Sequence, residues 1–474
     1  MKIKLLSLGL AVALIFSNLG QLASYTPSRD YPAIKSMALD FKDGFSLSSN
    51  IFFTSSEPML AEAGGDKVVN LWREYDLWEL NRAAKEYAKL NNKNAFDYLS
   101  ESYVLNSLGH RLLFDMELNR QVSGLDFEAG LVKRNIFDDL PLAICGRHAE
   151  FNRKLLQNID FFCNLSINFM RAMSFGKYAP AESLVARITN SKDPDLSCYP
   201  GVSSEVLLSM LEEARRKIQE DVGANNYMVE QAGFTDLVTM LGLRKRLEFC
   251  YKCRRIDLYS GLIFTLPSGQ RASPDEVLSF NFGYPTMTFG LMGGADVLFK
   301  RDFSGGVGLV LNFGHNYESM QHIPLGKEPA LLSPYKNMIS YDYGRTLTTN
   351  LYLLWNNILA ERFDFKVSFV MTKHSRDRLF GDTSVHSPIV RNQRGIVPSP
   401  VLASTDEVRD TLEQFEKYSA WNTRFWEFKF NYRAGDLLSA EAGKTNIFLA
   451  CQYPLNSDKV IKHYRFMLGA NINF

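Results

Sequence analysis

The chain has 474 residues with 53 Lys and Arg against 52 Asp and Glu, so its formal charge is +1 and nothing argues for a nucleic-acid partner. Apolar residues make up 46%, ample for a core, and aromatics reach 13%, with 34 Phe and 21 Tyr, which suits strands with wide flat faces. Six cysteines over this length are too sparse for a disulfide-stapled scaffold.

The amino end, "MKIKLLSLGLAVALIFSNLG", places Lys2 and Lys4 before an apolar run from Leu5 to Phe16. A basic start followed by a hydrophobic segment too short to span a bilayer comfortably reads as a secretory signal, residues 1–24, with cleavage after Ala23 or Ser24. Neither site is a clean A-x-A, which leaves a retained anchor as the alternative. Residues 25–474 are then either two or three ordinary domains or one large barrel. No later run approaches a transmembrane helix. After export the chain is either soluble or enters a membrane as strands.

Along the rest of the chain apolar and polar residues alternate with a period of two, the signature of extended strands. In "HRLLFDMEL" and "LDFEAGL" the polar side carries Arg111, Asp115, Glu117, Asp126 and Glu128. "FFCNLSINF" continues the pattern with Asn164, Ser166 and Asn168. "TMTFGLMGGADVLFK" sets Met287, Phe289, Leu291, Val297 and Phe299 against Asp296 and Lys300. "RFDFKVSFVMTK" sets Phe363, Phe365, Val367, Phe369 and Met371 against Arg362, Asp364 and Lys366. "WEFKFNYRA" sets Trp426, Phe428, Phe430 and Tyr432 against Glu427, Lys429 and Arg433.

A soluble sandwich also alternates, but its strands run about 5–6 residues. Many of these patterns hold longer, near the 9–11 residues that a tilted strand needs to cross a bilayer. The reading is an all-β fold: a transmembrane up-and-down antiparallel barrel whose closure leaves no edge. Strands fall near 44–55, 107–120, 124–137, 141–151, 159–171, 234–249, 253–266, 285–301, 304–317, 345–360, 362–375, 421–435, 443–456 and 460–474. That makes about fourteen, and dropping the two weakest, 44–55 and 141–151, gives about twelve with unchanged parity, an even number either way. With both termini in the periplasm, the connections 121–123, 152–158, 250–252, 302–303, 361 and 436–442 are short periplasmic turns. The long connections 56–106, 172–233, 318–344 and 376–420 all fall outside.

Three outer loops carry helical patterns. "SSEVLLSMLEEARRKIQ" in 172–233 has Leu207, Met210, Leu211, Ala214 and Ile218 on one side. "STDEVRDTLEQFEKYS" in 376–420 has Ser404 and Glu407 as a capping box. "DKVVNLWREYDLWELNRAAKEY" lies in 56–106. Each is either a lid over the barrel mouth or a cover for its own loop.

Chemistry is scarce. Cys250 and Cys253 form a lone C-x-x-C at a turn, with no second pair or His cluster to complete a metal site and no βαβ pattern for redox work. Cys163 and Cys451 sit on apolar faces as lipid-facing fillers. No His-x-Ser occurs for a lipid-facing hydrolase pair, and His110 and Ser260 lie on distant strands. No catalytic residue, metal or cofactor is assigned.

The chain ends on "HYRFMLGANINF". Phe466, Leu468, Ala470, Ile472 and Phe474 share one face and Arg465 lies on the other. A terminal Phe with alternating apolar residues before it resembles the signal that barrel-insertion machinery reads in outer-membrane proteins. That resemblance makes the insertion machinery and outer-membrane lipid the expected partners. "GFTDLVTMLGLRKRLEF…RRIDLYSGLIFTLPSG", Gly233 to Gly269, resembles the G-x-x-D-L…G-L-…-L-P-T-G hairpin of porin-like transporters for aromatic and other small hydrophobic compounds. Here Ser268 replaces the Thr, and Phe234 and Thr235 fill the variable positions. With the preceding "LEEARRKIQEDVG" the stretch is also similar to an uncharacterised barrel family of intracellular Gram-negative bacteria.

The polar faces become the lumen. Its expected lining is Arg111, Asp115, Glu117, Asp126, Glu128, Arg255, Asp257, Asp296, Lys300, Arg362, Asp364, Lys366, Glu427, Lys429, Arg433 and Arg465. Both signs are present, so these charges either pair across strands and fill the interior or set the field of a hydrated pore. The function this implies is an outer-membrane channel or uptake protein for small solutes, hydrophobic ones if the hairpin resemblance extends to substrate. The alternative is a closed barrel acting as a structural or adhesive surface protein through its outer loops. An oligomer is compatible with the pattern, but no interface patch is legible on one alternating face.

Overall fold

The computed structural model describes residues 44–56, 113–137, 156–180, 203–222, 228–248, 254–271, 281–300, 302–322, 336–358, 362–381, 419–435, 444–458 and 463–473, with single positions between 74 and 88 and between 409 and 416. In chain order the elements begin with β1 (Gly44–Ser56), β2 (Glu74–Asp76), β3 (Leu113–Lys133), β4 (Ile159–Pro180) and helix α1 (Ser204–Val222). Next come β5 (Met228–Phe234), β6 (Leu237–Glu248), β7 (Arg255–Leu266), β8 (Thr288–Lys300), β9 (Phe303–Gly314), β10 (Tyr317–His322) and β11 (Lys336–Asp342). The last are β12 (Thr346–Trp355), β13 (Phe363–His374), β14 (Arg378–Gly381), β15 (Trp421–Gly435), β16 (Lys444–Asp458) and β17 (His463–Asn473).

Pairing runs β3-β1-β17-β16-β15-β13-β12-β9-β8-β7-β6-β4 and returns from β4 to β3, every step antiparallel. The result is a closed ring of 12 strands, so ladder bonds satisfy the backbone and no edge remains. Three additions lengthen the wall at one rim. β5 continues β6 along β4, β2 pairs with the start of β3, and β10, β11 and β14 form a second, three-stranded sheet. These lie at the rim with the long connections. The opposite rim carries short connections such as 301–302 and 356–362, the longer 134–158 between β3 and β4, the start of β1 and the end of β17.

The count matches the expected alternative of twelve, although the strands that make it up differ in origin. The stretch 44–55 is a full wall strand, and 141–151 lies outside the described residues. The stretches 107–120 and 124–137 do not form a hairpin: from 113 onward they are the single strand β3, and the turn expected at 121–123 is absent. Gln121, Val122 and Ser123 instead pair with Met173, Ala172 and Arg171. Two physical causes produced the false turn. Gly124 serves packing, because a Cβ there would meet the Phe52 ring and the Phe169 carbonyl. The break in alternation marks the edge of the apolar band, since the outward face of β3 changes from Leu131, Phe127 and Leu125 to Ser123 and Gln121.

On the outer face of the ring, Ile51, Leu125, Leu165, Leu262, Leu291, Leu309, Leu351, Phe430, Leu449 and Leu468 are all exposed. At the short-turn rim an unbroken row of aromatic rings crosses five strands. Phe299 and Phe303 are 5.7 Å apart, Phe303 and Trp355 5.3 Å, Trp355 and Phe365 5.9 Å, and Phe365 and Phe430 4.5 Å. Nearer the other rim lie the pairs Phe264–Phe289 and Tyr453–Tyr464. Above Phe169 and Phe234 the outer face turns charged, with Arg171 paired to Glu230 at 2.6 Å. An apolar belt about 25 Å tall between two aromatic girdles is what a barrel shows to lipid. The chain is a transmembrane β-barrel.

Of the helical patterns, α1 is complete, with Leu207, Leu211, Ala214 and Ile218 buried. Met210, expected on that side, is exposed at 38%. Its solvent face carries a ladder in which Arg216 reaches both Glu213 and Glu220. Leu77, Asn81 and Ala84 are helical and buried, and Arg409, Leu412, Glu416 and Ser419 are helical in part of the second pattern. Residues 1–43 and the pair Cys250–Cys253 lie outside the described residues.

Candidate functional site

The inward face of the ring is polar in a particular order. Asp257 pairs directly with Asp296, Asp296 with Gly306, Gly306 with Tyr352, and Tyr352 with Ser368. Ser368 pairs with Glu427, Glu427 with Gln452, and Gln452 with Arg465. Barrel strands tilt, so a line of directly paired residues climbs as it goes round. Asp257 lies two residues from the start of β7 at the short-turn rim, and Arg465 two residues from the start of β17 at the other. The row is a polar staircase from one side of the apolar belt to the other.

Each step has partners. Below Asp257, the Arg244 and Arg246 guanidiniums both donate to Asp160, at 2.7 and 2.8 Å, and the Asn135 amide adds a third donor at 3.1 Å. Arg255 holds Asp257 at 2.7 Å, with Arg244 at 3.9 Å on its other side. The Tyr352 hydroxyl donates to Asp296, in a gap left by the missing side chain of Gly306. One row nearer the short-turn rim, Lys366 and Lys429 are direct partners. The Lys366 ammonium lies 4.5 Å from the Tyr352 ring centroid and that of Lys429 4.0 Å from Phe448, both close enough for cation–π attraction. Gln452 donates to Glu427 at 2.8 Å. At the top, Arg465 donates to Asp126 at 3.1 Å and lies 3.9 Å over the Phe52 ring.

These charges are buried: Asp160 is 1% exposed, Lys366 4% and Arg465 6%. At their level the lumen is packed with side chains, as it is in the smaller closed barrels, whose interiors side chains fill. Among the described residues, several oxygens on or beside the row have no hydrogen-bond partner, namely Asp126 Oδ1, Asp257 Oδ1, Asp296 Oδ1, Asn350 Oδ1 and Ser368 Oγ. Buried acceptors of this kind take a water or a solute donor.

Of the residues expected to line the lumen, Asp126, Asp257, Asp296, Lys366, Glu427, Lys429 and Arg465 belong to this arrangement. Glu128, beside it, accepts from Asn164. Asp364 and Arg433 do another job at the short-turn rim. Arg433 forks onto Asp364 at 2.7 and 3.1 Å and reaches Asn357 at 2.9 Å, tying down the 356–362 turn, where Asn357 takes a φ of 60°. Arg111 lies outside the described residues, as do the side chains of Asp115, Glu117 and Lys300. Because β3 has no turn, Asp115 and Glu117 fall on its odd-numbered positions with Leu125 and Phe127, out of phase with Asp126 and Glu128.

Sequence reasoning missed Asp160, Arg244 and Arg246. Asp160 opens a strand beside an expected turn, and "LRKRL" puts charge on both faces, which hides alternation. On β17, Phe466 and Leu468 are exposed outward at 58% and 55%, Ala470 and Ile472 follow in the same phase, and Phe474 lies outside the described residues. Cys163 and Cys451 are free and half-buried. Among the described residues no group of His, Cys, Asp and Glu could hold a metal ion.

The Gly233–Gly269 hairpin also acquires a physical role. Asp236 lies between β5 and β6, and its carboxylate accepts from the Gly269 amide at 3.1 Å and from the Tyr284 amide. Ser268 accepts from the Leu237 amide at 3.0 Å and donates to the Thr235 carbonyl at 3.2 Å, work a Thr hydroxyl could equally do.

No protein-family model matches the chain, and no curated protein matches it. Solved structures that resemble it include the COG4313 outer membrane channel from Pseudomonas putida F1, 10% identical over 92% of this chain and 97% of that one, with a TM-score of 0.42. The transport unit of the autotransporter AIDA-I from Escherichia coli is 7% identical over 94% and 95%, TM-score 0.33. The toluene transporter TbuX from Ralstonia pickettii is 8% identical over 92% and 90%, TM-score 0.30. Scores this low carry no argument; the architecture rests on the closed pairing of the ring itself.

Proposed function

We propose that the protein is an outer-membrane channel or uptake protein, oriented with the short turns in the periplasm, that passes small solutes without a chemical step. The observation behind this reading is the staircase. A rim-to-rim row of charged and hydrogen-bonding side chains, with acceptors left over, is costly inside a barrel that serves only as an anchor. Packing at the level of Lys366 makes the path narrow. The hydrophobic solute class rests on the hairpin resemblance alone, and the matching residues Asp236 and Ser268 hold backbone. We therefore place small polar solutes ahead of hydrophobic ones. Lipid on the outer face and insertion machinery at the β17 face complete the proposed partners, and an N-terminal signal the route.

Liposome swelling with the refolded protein tests this. Uptake of a pentose and exclusion of a trisaccharide are expected; no swelling from a folded barrel would count against the channel. One observation favours the second reading, a closed surface protein: the lumen charges are buried and largely paired. Under that reading, deleting 376–420 abolishes surface binding and leaves permeability at zero.

A further inference from the structure

The loop joining β7 to β8 does not simply bridge two strands. Phe282, on its descending limb, is 1% exposed and packs with Phe52, Val122, Met170 and Ala172, with Met467 alongside. Those partners lie on the inward faces of β4, β3, β1 and β17, two to five strands round the ring from β7. The ring of Phe282 therefore lies inside the lumen, beside Gly233 of its own hairpin's neighbour β5 and within the cluster on the wall that runs from β4 to β17. It lands beside Phe52, over which Arg465 lies, where the polar staircase ends.

Both limbs of the loop are held to one carboxylate. Asp236 accepts from Gly269 on the ascending limb and from Tyr284 on the descending limb. The limbs are also joined to each other and to the wall: the Phe282 amide donates to the Gln270 carbonyl at 2.8 Å, and the Gln270 amide to the Phe234 carbonyl at 3.1 Å. The fit leaves no slack. A Cβ on Gly283 would collide with the Asp236 carboxylate, and one on Gly233 would press on Gln270 and touch Phe282. Tyr284 then packs edge-on against Tyr343 at 6.1 Å, with its hydroxyl on Asn312.

We infer that Phe282 constricts the loop end of the lumen and that Asp236 is the positioning residue that latches it in place. This deepens the channel reading and rests on it for its purpose, though the latch itself is a statement about geometry. A carboxylate offers an acceptor to each limb. An amide offers one acceptor and sets its own N–H groups against the other donor, so Asp236→Asn removes one of the two ties while keeping the side chain's shape. Freed on one side, the loop gives up the lumen position of Phe282 for part of the time.

Thiol labelling of the full-length refolded protein in vesicles, with its six native cysteines replaced and Val122→Cys introduced in the buried cluster that Phe282 belongs to, reads this directly. A membrane-impermeant maleimide is expected to react slowly in this background. With Asp236→Asn added, it should react on the order of tenfold faster, as suits the loss of one charge-assisted hydrogen bond. With Phe282→Ala added it should react faster still, a second variant that leaves the latch intact. The same proteins are recorded in planar bilayers, where both variants should raise conductance. Equal labelling in all three proteins would overturn the proposal. Faster labelling in barrels that all stay electrically silent would leave the latch standing and remove the channel reading instead.

Discussion

The two faces of the same twelve strands obey different rules. Outward, Leu351, Leu449 and Leu468 share one requirement, to be apolar at the right phase, and lipid imposes no partner on any of them. Inward, Asp160, Asp257, Glu427 and Arg465 each have a named neighbour on another strand, and the register of the ring decides whether they meet. The outer face is therefore tolerant and the inner face particular, although alternation announces both equally. Substitutions should separate them.

The largest effect is expected at Asp160. Asp160→Ala leaves Arg244 and Arg246 facing each other without their shared carboxylate, a loss of about 3–5 kcal/mol for a broken buried pair. Urea titration of folding into vesicles measures it, and a change below about 1 kcal/mol would erase the distinction between the faces. Outward, Leu351→Arg puts a charge into the apolar belt and should cost about 2–4 kcal/mol in the same titration. Lys429→Gln acts on function more than folding: with half of the Lys366–Lys429 pair neutralised, the reversal potential in a salt gradient should move towards cation selectivity. An unmoved potential would put the conduction path elsewhere. The smallest effect is Leu449→Ile, a swap lipid cannot distinguish, expected to stay within about 0.5 kcal/mol.

Phase was legible in the sequence, and topology only in part. Period two located most wall strands to within a few residues, and the long connections 56–106, 172–233, 318–344 and 376–420 share one rim, but the other rim lacks the expected turn at 121–123 and carries the 134–158 connection from β3 to β4. The failure at 121–123 shows the limit: a Gly and two polar residues signal a turn and a strand leaving lipid in the same way. Lumen partners were less accessible still. Asp126 and Arg465 are 339 positions apart, and alternation says they face inward without saying that they touch. Asp364 and Arg433 had the right phase and serve a turn, because phase does not give height. Phe282 had no signal at all, since a loop residue carries no periodicity; only the Asp236 motif, read as a scaffold, pointed to its surroundings.

Single-channel recording of the refolded wild-type protein in symmetric salt, beside Phe282→Ala, tests the central claim most directly. If the staircase is a path narrowed at one end by Phe282, the wild type shows small, discrete steps and the variant larger ones. A correctly folded barrel that is silent in both forms would contradict it, and the inward charges would then be the filling of a closed anchor.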